Sequence, residues 1–269
     1  MRRSSSINLA LAILLVSASG AMAAGAVFDK PLETKAVTLP PTETNPKPKL
    51  TCRYYPHFMV KEIDEGEVGA AQLSILPAVP KPLCQRQNIA TEKVVDPKDW
   101  SGYVEGAKGD FVFFTADDGV NGALGFAVYA PSGKKLFEDA AVGDLHSLTV
   151  SGSTLTARYV RSFAGTCSVL KEGDSCWTKI AAAAHLDPAA KPDCKGGYQE
   201  AEQELAAARC KEDGKTGNAA CIAAAVKEIK AQKWDEAPSV MEYEAETVLT
   251  ESAATTKATG AVKACHPSD

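Results

Sequence analysis

No two cysteines in this chain are spaced C-x-x-C, and of the four histidines only His266 stands next to a cysteine. Zinc sites usually show such paired ligand spacing, so zinc is not the reason the cysteines are present. None of the histidines (57, 146, 185 and 266) has a second one at i+4, which excludes the helical two-histidine signature of metallohydrolases. There is no basic stripe interleaved with aromatics, and the formal charge is −5, so nucleic acid is excluded as a partner. Beyond the N-terminus no stretch is apolar over the roughly 20 residues that a membrane-spanning helix needs.

The N-terminus has its own logic. Arg2 and Arg3 precede a short apolar run, Leu9 to Val16, and Ala21-Met22-Ala23 supplies small residues on either side of a spacer. Residues 1–23 therefore read as a signal peptide for export. The next segment, 24–49, is rich in Pro, Thr and Lys and reads as an extended linker. Residues 50–269 then form a single β-rich domain, with a helical insertion at about 185–236.

All eight cysteines follow the leader: Cys52, Cys84, Cys167, Cys176, Cys194, Cys210, Cys221 and Cys265. An even number in an exported chain reads as disulfides. Cys210 and Cys221 flank a turn between two helical patterns, and a bridge there closes a short loop worth about 3 kcal/mol. Cys167 and Cys176 flank SVLKEGDS, another local loop. The pairing of Cys52, Cys84, Cys194 and Cys265 stays open.

Short β-like runs dominate up to residue 163: DFVFFTA, GFAVYA, KKLFED, HSLTV and TLTARYVRSF, separated by turn residues. In the last run Leu155, Ala157 and Tyr159 share one face while Thr154, Thr156 and Arg158 share the other, as in a half-buried strand. The spacing predicts an antiparallel meander or sandwich. After Trp177 alanine takes over. Tyr198, Ala201, Leu205 and Ala208 form one helical stripe, and Ile222, Ala225, Val226 and Ile229 form a second. SVMEYEAETVLT then alternates again, and a last strand ends at Cys265. The fold class is α+β, mainly antiparallel sheet, with a disulfide-clipped helical hairpin inserted before the final strands.

Four groups of residues invite a chemical reading. FFTADDGVNGALGF (113–126) has Asp117, Asp118 and Asn121 near glycines, and calcium is the cofactor they would hold. As an EF-hand loop its third position falls on Gly119 and its twelfth on Val128, so two main ligands are missing, and a turn capped by Asp and Asn explains it better. Gly173-Asp174-Ser175 resembles the GDS block of one esterase class, with His266 and Asp269 at the chain's end; the acid and base stand in the reverse order for that class. Glu242, Glu244 and Glu246 line one strand face, where they either gather a cation or simply stay solvated. Trp100, Tyr103 and Phe111 form a fourth cluster, either an aromatic binding face or core.

The block WSGYVEGAKGDFVFFTADDGVNGALGFAVYAPSGKKLFEDAAVGDL, with TCRYYPHFMVKE and the closing cysteine strand, resembles a group of uncharacterised exported proteins of Gram-negative bacteria. The resemblance implies a periplasmic setting and a disulfide-braced domain, and it carries no activity or functional residue with it. The expectation is a secreted binding or interaction module of the periplasm with no catalytic set and an unknown partner. A calcium-stabilised envelope protein and a serine hydrolase on Ser175 are the alternatives.

Overall fold

Two antiparallel sheets pack face to face in the computed structural model, which describes residues 27–43 and 45–268. The expected signal peptide, residues 1–23, lies outside the described residues. The first sheet runs β1 (Glu33–Thr38), β2 (Lys49–Tyr54), β3 (Phe58–Asp64), β4 (Gln72–Pro77) and β5 (Lys93–Val94), in that order. The second contains β6 (Tyr103–Lys108), β7 (Phe111–Val120), β8 (Ala123–Tyr129), β9 (Lys135–Ala141), β10 (Ser147–Ser151), β11 (Thr154–Ala164), β12 (Ser239–Leu249) and β13 (Ala254–Pro267). Its strand order is β13-β12-β11-β9-β8-β7-β6, with β10 paired to β11 beside it.

The alternation of side chains explains the layering. On β7, Phe111 and Phe113 point to the helical side of the second sheet, while Val112 and Phe114 point to the first sheet. On β8, Phe126 and Val128 go one way and Ala127 and Tyr129 the other. A strand covered on both faces reads as a continuous apolar run, which is why DFVFF and GFAVY hold so few polar residues. Between the sheets Phe58, Val60 and Ile75 meet Val104, Val112 and Phe114. Glu62 adds a polar tie, accepting a hydrogen bond from the Val104 N–H at 2.7 Å.

The outer face of the first sheet is covered by the segment 78–92. Cys84 on that segment is bridged to Cys52 on β2, and the Tyr54 hydroxyl donates to the Pro82 carbonyl. Lys61, on β3 and 1% exposed, is buried beneath it in an ion pair with Glu92 at 2.5 Å. Asn88 accepts from the same ammonium group at 3.0 Å.

Residues 27–49 are not a free linker. Phe28 packs edge-on against Phe113, the Asp29 N–H donates to the Ala107 carbonyl on β6, and β1 pairs along its length with β2. Prolines 31, 40 and 41 bracket a six-residue stretch that has none, and an edge strand needs only backbone partners on one side. Leu39, just beyond it, is buried against Leu50 and Met59.

Between β11 and β12 come α1 (Val169–Glu172), α2 (Asp174–Ala184), α3 (Lys195–Glu212) and α4 (Ala219–Ala231), then a 3-10 turn at Trp234–Glu236. The helical insertion therefore starts well before residue 185. The stretch between Cys167 and Cys176 is helical rather than a loop, since Ser168 caps α1 by accepting from the Lys171 N–H. Cys176, Trp177, Ile180, Ala181 and Ala184 are one stripe of α2, buried against the second sheet.

The four bridges are Cys52–Cys84, Cys167–Cys176, Cys194–Cys265 and Cys210–Cys221, and no described cysteine is free. Both local pairs are those expected from spacing. Cys194–Cys265 fastens the start of α3 to β13. Gly197 makes that approach feasible: a Cβ there would sit 2.1 Å from the Cys265 carbonyl oxygen. Such bridges fit an oxidising setting outside the cytoplasm. Among the described residues no helix is long and apolar enough to cross a membrane.

Candidate functional site

In an antiparallel meander every second turn lies at the same end of the sheet. Here the turns β6–β7, β8–β9, β10–β11 and β12–β13 gather at one end, joined by the β2–β3 turn of the first sheet and by residues 29–32. They surround a cleft of about 350 Å³. Tyr55, Phe111 and Ala130 form a buried floor, and Leu136 and Val150 are half-buried walls. Tyr55 is stacked on Phe58 with ring centres 5.0 Å apart, so the floor is anchored in the core between the sheets.

Polar side chains ring the opening. His57 Nδ1 lies 2.8 Å from Asp110 Oδ1, across the β2–β3 and β6–β7 turns. Asp29 accepts from the Lys108 ammonium at 2.9 Å and from the Gly109 N–H at 2.7 Å. Burial works to raise the Asp29 pKa, but the Lys108 hydrogen bond, the Gly109 N–H and the Lys108 charge together hold it below the ordinary carboxylate value. Burial pushes the Tyr55 hydroxyl up, against the nearby Arg53 charge, so it stays protonated. Lys134 donates to the Glu251 carbonyl at 2.8 Å and ties two of the turns together. Ser153 shares the cleft and makes no hydrogen bond with His57. An apolar floor with a few converging polar groups is the general form of a small-molecule site.

Of these residues only Phe111 stands out in the sequence, and there as part of an aromatic cluster with Trp100 and Tyr103 that the cleft does not gather. The usable signal is topological: once a meander is recognised, Pro56-His57, Gly109-Asp110 and Gly152-Ser153 fall on turns at one end.

Apart from Phe111, the residues singled out from sequence lie elsewhere. Asn121-Gly122 is the two-residue turn of the β7–β8 hairpin at the opposite end, both with positive φ (55° and 72°), as in a type I′ turn. Asp117 accepts from the Ser101 hydroxyl at 3.1 Å, and Asp118 accepts from the Gly119 N–H at 2.8 Å. Among the described residues no group of three or more His, Cys, Asp or Glu side chains is gathered closely enough for a metal ion. Ser175 is exposed on the first turn of α2, and its hydroxyl donates to the Glu172 carbonyl rather than to a histidine. His266 instead pairs with Glu242 at 3.3 Å.

The row of glutamates is neutralised across strands. Glu244 meets Lys263 of β13 at 2.5 Å and His146 at 3.3 Å, and Glu246 meets Arg158 of β11 and Lys257 of β13, both at 2.7 Å. Hydrogen bonds from Lys263 and from Lys257 are the largest causes holding Glu244 and Glu246, respectively, below the usual carboxylate range. The row is a ladder of surface ion pairs. Trp100 and Phe111 do not share a face, because Trp100 packs between the sheets and Phe111 on the helical side.

No protein-family model matches the chain, and neither a curated protein nor a solved structure shows significant similarity to it.

Proposed function

We propose that this protein is an exported, disulfide-braced binding module of the bacterial periplasm, and that the cleft at the turn end of the sandwich holds a small ligand. The observation that carries this reading is the buried floor of Tyr55, Phe111 and Ala130 opening beneath a rim of Asp29, His57, Asp110 and Glu251. The four bridges, and residues 1–23, whose basic start, apolar run and small residues read as a leader, support the compartment. Loops on a rigid sheet scaffold are where binding residues concentrate. Among the residues that line the cleft the three carboxylates Asp29, Asp110 and Glu251 outnumber the one lysine, Lys30, so the ligand is a small aromatic or apolar molecule with a hydrogen-bond donor or positive charge.

The test uses tyramine and phenol as probes, with saturation-transfer NMR on the exported form and on Val150→Trp, which fills one wall. Tyramine is expected to bind more tightly than phenol, and Val150→Trp to abolish both signals. The reading fails if neither probe binds, or if both bind Val150→Trp as they bind the parent protein.

A further inference from the structure

The outer face of the first sheet gathers an amine, a carboxamide and a carboxylate in one cluster. Lys61 stands on the central strand β3, in register with Cys52 of β2 and Ser74 of β4, and its side chain is 1% exposed. Above it the turn 89–92 is closed by two hydrogen bonds. The Glu92 N–H donates to the Ile89 carbonyl at 2.9 Å, and the Ile89 N–H donates to Glu92 Oε2 at 3.2 Å. That turn sets the Glu92 carboxylate against the Lys61 ammonium, with Oε1 2.5 Å from Nζ. It also brings in Asn88, the residue before the turn, whose Oδ1 accepts from Nζ at 3.0 Å.

The Asn88 carboxamide is both held and polarised. Gln72 Nε2 donates to the same Oδ1 at 2.9 Å, so two donors converge on that oxygen. Turned the other way, the carboxamide would set its own N–H groups against both. Donors aimed at a carbonyl oxygen stabilise the oxyanion that forms there on attack. The C=O bond is about 1.2 Å long, so Nζ lies no farther than about 4.2 Å from Asn88 Cγ. Asn88 is exposed, and a modest turn of its side chain closes the gap to the near-attack range of about 3–3.5 Å. The cluster therefore holds a nucleophile, a base in contact with it, and an acyl carbon with an oxyanion donor.

We propose that Lys61 and Asn88 join in an intramolecular isopeptide bond, with Glu92 as the proton carrier. Glu92 takes a proton from the Lys61 ammonium, and the freed electron pair attacks Asn88 Cγ to form the new C–N bond. Negative charge moves to Oδ1, where Gln72 stabilises it. Glu92 then gives its proton to the departing –NH2 and takes the second proton from the Lys61 nitrogen. The old C–N bond breaks, and ammonia leaves with the last proton as ammonium. Its way out is a surface hollow of about 340 Å³ lined by Gln72, Arg86 and Asn88. The step needs no oxidant and no co-reactant. An amide is a weak electrophile and the amine begins charged, so the ion pair is the resident form of freshly folded protein and the bond accumulates afterwards. It clamps the 78–92 segment to β3 beside the Cys52–Cys84 bridge and, unlike that bridge, survives reduction.

The experiment is intact mass spectrometry of the exported form, reduced and denatured, before and after ageing for days at physiological temperature in mildly alkaline buffer. Most aged chains are expected to have lost the mass of one ammonia, and peptide mapping to yield a branched peptide joining Lys61 to Asn88. Asn88→Ala, which leaves the Lys61–Glu92 pair in place, is expected to keep its full mass. Glu92→Gln is expected to react about a hundredfold more slowly. The inference falls if the aged parent keeps its full mass, shows only hydrolysis of Asn88 to aspartate, or loses ammonia no faster than Asn88→Ala. It falls also if Glu92→Gln reacts as fast as the parent. Should Glu92→Gln not fold, the parent and Asn88→Ala decide between them.

Discussion

Removing the carboxylate of Glu92 is expected to be among the most damaging single changes in this protein. Both side chains of the Lys61–Glu92 pair are only 1% exposed. Glu92 also accepts from Gln72 at 3.0 Å and from the Ile89 N–H at 3.2 Å, so it organises the polar layer beneath the 78–92 segment. In Glu92→Ala the Lys61 ammonium keeps one neutral acceptor, Asn88, and stays out of water. Breaking a buried pair from one side costs about 3–5 kcal/mol, a large fraction of a typical domain stability of about 5–15 kcal/mol. For a chain of this size the melting temperature should fall by roughly 6–20 °C. Replacing both partners, Lys61→Met with Glu92→Leu, should recover stability to within about 1 kcal/mol of the parent, because the penalty lies in the stranded charge. Urea unfolding under non-reducing conditions measures all three proteins. The reasoning is refuted if Glu92→Ala loses less than about 1 kcal/mol, or if the double variant is as unstable as the single one.

Gly197→Ala places a methyl group against the Cys265 carbonyl and should cost about 1–3 kcal/mol, whereas Gly196→Ala meets nothing within 4 Å and should be neutral or stabilising by up to about 1 kcal/mol; thermal melts decide. Loop-closure entropy ranks the bridges: Cys194→Ser/Cys265→Ser, spanning 71 residues, should lose about 4.4 kcal/mol, and Cys210→Ser/Cys221→Ser, spanning 11, about 2.8 kcal/mol, as read from urea midpoints. At high pH the buried phenols govern stability. Burial is the largest cause raising Tyr55, Tyr129, Tyr159 and Tyr243, with Tyr129 pushed up to about 12. Unfolded phenols ionise near pH 10, so above that the unfolded chain holds fewer protons than the native one. Stability should be intact below about pH 10 and fall as pH rises towards 12. Ultraviolet titration should show fewer than seven tyrosines ionising before the protein unfolds; seven ionising in the native state would contradict this.

How much of this was legible depends on which force shaped each element. Strands β7, β8, β11 and β12 are plain in the sequence because burial writes a period of two, or an unbroken apolar run, into them. The two short-range bridges follow from spacing alone. Strand β1 is not visible, since an edge strand exposed along its length is held by backbone hydrogen bonds that leave no hydrophobic trace. The α3 stripe reads one position off because Glu202 and Cys210 are buried by an ion pair and a bridge, while hydrophobic counting favours Ala201, Leu205 and Ala208. Lys61 misleads in the same way: a lysine in a strand reads as surface unless its partner, 31 residues away, is known. The cleft was hidden for another reason. Its polar residues sit on turns, which have no periodicity, and only the meander topology brings those turns together.

The central claim is that an exported chain is braced by four specific bridges into the scaffold that carries the cleft. Non-reducing peptide mapping by mass spectrometry, on protein recovered from the periplasm of expressing Gram-negative cells, tests it most directly. The account predicts a chain beginning at Ala24, with Cys52 linked to Cys84, Cys167 to Cys176, Cys194 to Cys265 and Cys210 to Cys221. Retention of the leader in a cytoplasmic protein, free thiols, or any other pairing would contradict it.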